Sequence, residues 1–110
     1  KGFHIPDDEE WTTLIDYLGG ADSAGTKMKS TQGWNDEANG NNSSGFTGLP
    51  GGYRYNNGTF KGIGLFGSWW SKTPIDSTGA WYRYLSATEG RLNRTFSDKR
   101  DGFSVRCIKD

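Results

Sequence analysis

The sequence predicts an α+β fold, with one or two helices packed on short, mainly antiparallel strands that are joined by long irregular loops. Apolar residues recur at helical spacing only near the start of the chain. From residue 46 onward the period changes to that of strands, and Gly- and Asn-containing turns separate them. With 110 residues the chain has the length of one domain, so we expect residues 1–110 to share a single core.

Aromatic residues dominate the predicted core. The chain contains five Trp, six Phe and five Tyr, whereas aliphatic residues are few. Each enclosed ring buries roughly 150–250 Å², so these side chains can supply the apolar area of a small core. The 17 Gly and only three Pro predict many tight turns, because Gly adopts positive φ without steric cost.

The charge balance argues against polyanionic partners. Thirteen basic and thirteen acidic side chains cancel, so we expect no binding to nucleic acid or to an anionic membrane. The apolar runs are far shorter than the roughly 20 residues of a bilayer-spanning helix, so we expect no transmembrane segment in this chain. Cys107 is the only cysteine and cannot form an internal disulfide.

A capping box predicts where the first helix begins, because Glu10 follows Asp7 by three positions. The acidic residues here also suit the positive end of the helix dipole. Gly19 and Gly20 permit a left-handed ending, so the helix is predicted at about residues 8–18. Its apolar stripe has helical spacing and consists of Trp11, Leu14, Ile15 and Leu18.

The rest of the chain divides into an ambiguous segment, a loop and a series of strands. Residues 21–31 fit a helix or an extended segment equally well. Residues 33–45 are rich in Asn, Ser and Gly and predict a long surface loop. The predicted strands are Phe46–Leu49, Gly52–Tyr55, Gly67–Ser71, Ala80–Ser86, Arg91–Phe96 and Phe103–Ile108.

Alternation within the last strand predicts which residues face the core. Phe103, Val105 and Cys107 fall on one face, which we assign to the core, so that Cys107 is an inert packing residue. Trp69 and Trp70 point to opposite faces of their strand. We expect both to be buried, and the alternative is an exposed ring that stacks on a sugar.

The same alternation leaves two arrangements open for residues 80–85. Trp81, Arg83 and Leu85 share one face, and Tyr82 and Tyr84 share the other. Either an arginine or two tyrosines therefore face the core. We favour a buried Arg83 beside a carboxylate or carbonyl groups, because a buried guanidinium persists only when it is paired.

Several segments, in order and over nearly the whole chain, carry a resemblance to one known family. They are Phe3-His4-Ile5-Pro6 leading into Trp11, Ser44-Gly45-Phe46, Leu49-Pro50-Gly51-Gly52-Tyr53-Arg54, Trp69-Trp70-Ser71, Ala80-Trp81-Tyr82-Arg83 and Gly102-Phe103-Ser104-Val105-Arg106-Cys107. These segments resemble the Fibrobacter succinogenes major paralogous domain, a family that is similar to the formylglycine-generating-enzyme branch of the C-type-lectin-like folds. The resemblance implies a C-type-lectin-like fold and a secreted or lipoprotein-anchored protein of a bacterial cell surface.

The resemblance also implies where a ligand would bind. C-type-lectin-like folds contact ligands through the region before the final strand, here Tyr82–Asp101, and similar proteins are diversified there by retroelement mutagenesis. This chain departs from the Asn- and Tyr-rich pattern of the family in that region, which is compatible with diversification. The candidate ligand-binding residues are Tyr82, Tyr84, Thr88, Glu89, Arg91, Asn93, Thr95, Phe96, Asp98 and Asp101.

The mixed charges in this region have two interpretations. Arg91, Arg94, Lys99 and Arg100 alternate with acidic residues, a pattern typical of a solvated face. The alternative is a polar recognition surface edged by aromatic rings.

No catalytic apparatus is predicted. Formylglycine-generating enzymes need two active-site cysteines, and this chain has one. His4 is the only histidine and lies near the helix entry, so we expect it to have a packing or capping role rather than a catalytic one. We therefore expect neither enzymatic activity nor a cofactor.

The loop at residues 33–45 contains two incomplete metal motifs. Trp34-Asn35-Asp36 spells a C-type-lectin calcium motif but stands too early in the chain. If Asn35 is taken as position 1 of an EF-hand loop, position 12 is Phe46, where a bidentate Glu is required. We predict no metal site. Two interpretations of Asp36, Glu37 and Asn39 stay open, namely a looser calcium site and an Asx turn that bonds its own backbone.

The sequence thus predicts a non-enzymatic recognition module at the cell surface, with a protein or carbohydrate ligand. We expect it to be a monomer and to be part of a larger cell-surface protein. The alternative is a purely structural or appended domain of a bacterial surface lipoprotein with no ligand of its own.

Overall fold

The computed structural model describes residues 2–110, which form two helices, a two-stranded sheet and a five-stranded sheet. The α+β prediction is thereby confirmed. In chain order the elements are β1 (Phe3–His4), α1 (Asp8–Tyr17), α2 (Ala21–Met28), a short 3-10 turn (Asn35–Glu37), β2 (Gly51–Arg54), β3 (Phe60–Ile63), β4 (Phe66–Pro74), β5 (Gly79–Ser86), β6 (Leu92–Asp98) and β7 (Ile108–Lys109).

The predicted capping box fixes the start of α1. The Asp7 carboxylate accepts from the Glu10 backbone N–H at 2.8 Å, and the Glu10 carboxylate accepts from the Asp7 N–H at 3.0 Å. Both bonds use N–H groups that have no partner within the helix. At the other end Gly19 has φ +95°, the conformation that the sequence predicted for the helix ending.

The ambiguous segment at residues 21–31 folds as α2, which ends at Met28. Gly25 lies inside this helix, although Gly lowers helix propensity. The reason is tertiary, because a Cβ at Gly25 would collide with the backbone of Gly90. Neither helix of residues 2–110 has the length and apolar character needed to cross a bilayer.

The five-stranded sheet has the order β3-β2-β4-β5-β6, and only the β2–β4 pair is parallel. Four predicted strands match observed ones, with β4 extending three residues further than expected, to Pro74. The short strand β3 was not predicted. β1 and β7 pair separately, so that His4 lies opposite Ile108.

The predicted strand Phe46–Leu49 is wrong, because this segment pairs with the exit of α2 instead of joining a sheet. Gly48 donates to the Met28 carbonyl at 2.7 Å and accepts from the Ser30 N–H at 3.0 Å. A Cβ at Gly48 would lie 2.9 Å from Leu85, so the close approach depends on glycine.

The predicted final strand Phe103–Ile108 is also wrong. The chain here makes only isolated bridges, from Gly102 to Arg54 and from Ser104 to Trp69, before β7 begins. Without a continuous ladder, the alternation no longer determines burial. Cys107 is exposed and Val105 is 50% exposed, so neither is the core residue that the sequence predicted.

The two faces of the sheet have different environments. The face toward the helices carries the main core, and Arg83 is buried there beside Asp8, as favoured from the sequence. Trp69 is buried in this core, whereas Trp70 is half-buried on the opposite face, so the expectation that both rings are buried is correct only for Trp69. The buried core consists of Trp11, Ile15, Leu18, Ala24, Met28, Trp34, Trp69, Leu85 and Leu92.

Candidate functional site

Tyrosines from β5 and from the end of β2 line a cleft on the sheet face that points away from the helices. Tyr82 and Tyr84 lie in β5, Tyr53 lies in β2 and Tyr55 directly follows β2. In each pair one arginine separates the two tyrosines, so period-two alternation places both rings on the same face. The cleft has a volume of about 260 Å³. It is lined by Tyr53, Tyr55, Phe66, Ser68, Tyr82, Tyr84, Thr95, Ser97, Asp101 and Phe103.

Phe103 is the centre of the aromatic cluster at this cleft. Its ring centroid lies 4.2 Å from that of Tyr82 and 4.4 Å from that of Trp70. The flanking backbone is bonded on both sides, since Gly102 donates to the Arg54 carbonyl at 2.7 Å and Ser104 donates to the Ser68 carbonyl at 3.0 Å. The segment 102–104 therefore lies between β2 and β4 and holds Phe103 in place.

The phenol groups of the cleft are only partly used within the protein. The Tyr53 and Tyr55 hydroxyls lie 3.4 Å apart, and their rings meet edge to face. Among residues 2–110, no protein group bonds to the Tyr82 or Tyr84 hydroxyl. Each of these two groups can therefore donate one hydrogen bond and accept others from a ligand.

The phenols of Tyr82 and Tyr53 stay neutral well above pH 7. Burial raises the pKa of Tyr82 to about 12, and nearby Tyr84, Tyr53 and Asp101 add to the shift. The hydrogen bond between the Tyr53 and Tyr55 hydroxyls and, secondly, burial raise the pKa of Tyr53. Both groups thus act as hydrogen-bonding hydroxyls at physiological pH and not as anions.

Asp101 is the only charged side chain that lines the described cleft. One carboxylate oxygen accepts from the Asn56 N–H at 2.9 Å, and the other accepts from the Ser97 hydroxyl at 2.5 Å. These bonds tie the 55–59 turn and β6 together. The carboxylate therefore holds the 55–59 turn and β6 in place at the edge of the cleft. No basic side chain of residues 2–110 lines the cleft.

The structure brings four of the ten predicted ligand-binding residues to this cleft, namely Tyr82, Tyr84, Thr95 and Asp101. The other six lie elsewhere. Phe96 packs on Trp81 on the opposite face, with ring centroids 5.6 Å apart. Asn93 and Asp98 form bonds within their own segment, and Thr88, Glu89 and Arg91 lie at the β5–β6 connection.

The arginines of the predicted region are paired with carboxylates. Arg91 contacts Asp22 at 2.5 Å on the surface. Arg94 contacts Asp8 at 2.8 Å and stacks over Trp81 at 3.6 Å from its centroid. Hydrogen bonds from Arg100 lower the pKa of Asp98 to about 2. These contacts fit a solvated, internally paired face better than a free recognition surface.

Sequence reasoning missed five residues of the cleft and placed Phe103 in the core. The signal that could have found two of them is the repeated segment Tyr-Arg-Tyr, at residues 53–55 and again at 82–84. Each copy presents two phenols on one face of a strand. The missed residues are Tyr53, Tyr55, Phe66, Ser68 and Ser97.

Comparison with known proteins identifies the family of the chain. The family model of the Fibrobacter succinogenes major domain matches residues 1–109. The chain belongs to this family. The resemblance predicted from the sequence is thereby confirmed. No curated protein and no solved structure matches the chain.

Side-chain hydrogen bonds stabilise the long loop at residues 33–45. Asn39 accepts from the Trp34 backbone N–H at 3.0 Å, and the Trp34 indole donates to the Gly48 carbonyl at 3.1 Å. Asp36 and Glu37 both have positive φ, as in a tight turn. Within residues 2–110, no three His, Cys, Asp or Glu side chains cluster in a way that could hold a metal ion.

His4 links the start of α1 to Asp110. Its Nε2 lies 2.7 Å from Glu10 and its Nδ1 lies 2.7 Å from Asp110. The hydrogen bond to Glu10, followed by that to Asp110, raises the pKa of the imidazole. Because Glu10 is also the capping-box residue, His4 extends the helix cap, in agreement with a capping role.

Proposed function

We propose that this domain is a non-enzymatic recognition module, displayed at the bacterial cell surface as a monomer, that binds a protein or glycan ligand in the tyrosine-lined cleft. The observation that carries the proposal is the pair of phenol hydroxyls, on Tyr82 and Tyr84, that have no protein partner within residues 2–110. Binding sites combine apolar walls with a few polar groups that fix orientation, and this cleft has that composition.

The chemistry of the cleft favours binding over catalysis. The phenols of Tyr82 and Tyr53 are neutral at pH 7, and the one carboxylate that lines the cleft already accepts two hydrogen bonds. General acid–base catalysis needs a group whose pKa lies near the working pH. His4, whose pKa is raised by two carboxylates, lines a different part of the surface, as does Cys107.

We also infer that the fold is C-type-lectin-like. The support is the opening helix, the pairing of β1 with β7 and the placement of β5 and Asp101 before the final strand. In that arrangement the proposed ligand-binding region Tyr82–Asp101 includes residues that line the cleft. The β5–β6 connection at residues 87–91 belongs to the same region but contacts α2.

A ligand screen with three matched variants tests the proposal. The wild-type domain is applied to a glycan array and used in a pulldown from extracellular and cell-surface proteins. Tyr84→Ala should abolish retention of every ligand found, whereas Tyr17→Ala, which removes an 87% exposed tyrosine from α1, should leave retention unchanged. Arg91→Ala tests the β5–β6 connection in the same assay.

The outcomes separate the proposal from its alternatives. Normal retention by a folded Tyr84→Ala domain would refute the cleft as the site, and loss on Arg91→Ala alone would move the site to the connection. Retention of no ligand by the wild type would favour the second interpretation, a structural domain of a surface lipoprotein.

A further inference from the structure

A second hollow adjoins the tyrosine-lined cleft and shares two of its walls. It has a volume of about 290 Å³, and Tyr53 and Phe103 line both spaces. Phe60 lies at this hollow and is 77% exposed, which is unusual for so large an apolar side chain. Because they share these two side chains, the two spaces lie side by side on the surface.

The polar groups of the cleft select among ligand classes. Four phenols and the hydroxyls of Ser68, Thr95 and Ser97 line it, and the phenol hydroxyls of Tyr82 and Tyr84 have no partner within residues 2–110. A site built to hydrogen-bond hydroxyl groups disfavours ligands that lack them, because its polar groups are then left unpaired. The ligand should therefore carry several hydroxyl groups.

The charges of the cleft disfavour anionic ligands and do not require cationic ones. No basic side chain of residues 2–110 lines the cleft, so a phosphate or carboxylate placed there would meet the negative charge of Asp101. Arg54 lines the adjoining hollow and not the cleft. The Asp101 carboxylate already accepts hydrogen bonds from the Asn56 N–H and the Ser97 hydroxyl. A quaternary ammonium ion would use the ring faces but would leave the phenol hydroxyls unpaired.

We propose that the cleft and the adjoining hollow bind two consecutive residues of a neutral oligosaccharide. One sugar lies in the cleft, with its hydroxyls bonded to Tyr82 and Tyr84 and its apolar face against the rings. The next sugar lies in the hollow beside Phe60. This inference rests on the proposed function, because it names the ligand class of the same cleft.

Titration calorimetry on the whole domain tests this inference with named probes. The probes are cellobiose, lactose and mannobiose, the methyl glycosides of glucose, galactose and mannose, digalacturonic acid and choline. At least one neutral disaccharide should bind about tenfold more tightly than its methyl glycoside, because the second sugar adds contacts. Digalacturonic acid and choline should bind at least about tenfold more weakly.

Conservative variants assign the two subsites. Tyr82→Phe and Tyr84→Phe keep the rings and should each weaken the disaccharide about fivefold, the effect of one lost hydrogen bond. Phe60→Ala should reduce the advantage of the disaccharide over the methyl glycoside to less than about threefold. It should leave the affinity of the methyl glycoside unchanged.

The failures of the two proposals are distinguishable. Tyr84-dependent binding of choline or of a protein from the pulldown, without binding of any sugar, would overturn the inference and keep the recognition function. Equal affinity for disaccharide and methyl glycoside would overturn the two-residue mode. Sugar binding that no cleft variant weakens would overturn both.

Discussion

The Arg83 guanidinium lies 2.8 Å from the Asp8 carboxylate and ties the middle of β5 to the first turn of α1. The Arg83 side chain is 3% exposed, and it also donates to the Asp8 carbonyl and the Thr12 hydroxyl. Arg94 approaches the other oxygen of the same carboxylate. One acidic residue thus connects the helix to two adjacent strands.

Removal of this carboxylate should be strongly destabilising. Asp8→Ala would leave the Arg83 charge buried without its partner, so we predict a loss of about 3–5 kcal/mol in the free energy of unfolding. The control is Asp22→Ala, which removes the exposed partner of Arg91 and should cost less than about 1 kcal/mol. Urea denaturation measures both, and similar losses in the two variants would contradict a structural role for the buried pair.

The His4 contacts should make stability depend on pH above pH 6.5. Bonds to Glu10 and Asp110 raise the pKa of His4 above 6.5 in the folded state. The stabilisation is therefore complete below pH 6.5 and is lost as the pH rises through the raised folded-state pKa. Urea midpoints of the wild type should fall over that range, and those of His4→Gln should not. An NMR titration of His4 with a pKa of 6.5 or below would disprove this.

The phenol of Tyr82 should titrate unusually late. Its pKa is raised from 10 to about 12, chiefly by burial. Ultraviolet absorbance of phenolate should show a step near pH 12 that Tyr82→Phe removes and Tyr17→Phe retains. Because the raised pKa belongs to the folded state, the matching stability is present below pH 10 and is lost as the pH approaches 12. Persistence of the late step in Tyr82→Phe would refute the assignment.

The contact between α2 and the β5–β6 connection should depend on the absence of a side chain at Gly25. A Cβ there would collide with the Gly90 backbone, and Thr26 also donates to the Gly90 carbonyl at 3.2 Å. Gly25→Ala should lower the free energy of unfolding by about 1–3 kcal/mol, although Ala favours the helix. Gly51→Ala is the control, because its Cβ would meet no atom within 4 Å. A stabilised Gly25→Ala domain would contradict the observed packing.

Local signals were readable in the sequence, whereas long-range pairing was not. The cap of α1 uses neighbours three residues apart, and its start was predicted correctly. α2 stayed ambiguous because Gly25 serves a contact with Gly90, far along the chain. The final strand was mistaken because alternation shows which side chains share a face and not whether a partner strand exists.

The sequence indicated only part of the candidate site, because long-range pairing could not be predicted from it. The β5 tyrosines belonged to the predicted region, but Tyr53 of β2 and Tyr55, which directly follows β2, come from a different part of the chain. Only the strand order β2-β4-β5 places both pairs on one face. Phe103 joins them because the segment 102–104 lies between β2 and β4, a placement that no local pattern indicates.

The most direct test of ligand recognition in the tyrosine-lined cleft is an aromatic ¹H–¹³C NMR titration with each glycan or protein that the screen retains. The cross-peaks of Tyr82, Tyr84 and Phe103 should shift along one common saturation curve, while that of Tyr17 stays in place. Saturable binding that leaves the three cleft rings unmoved and shifts only Thr88, Glu89 and Arg91 in the matching backbone spectrum would contradict the account.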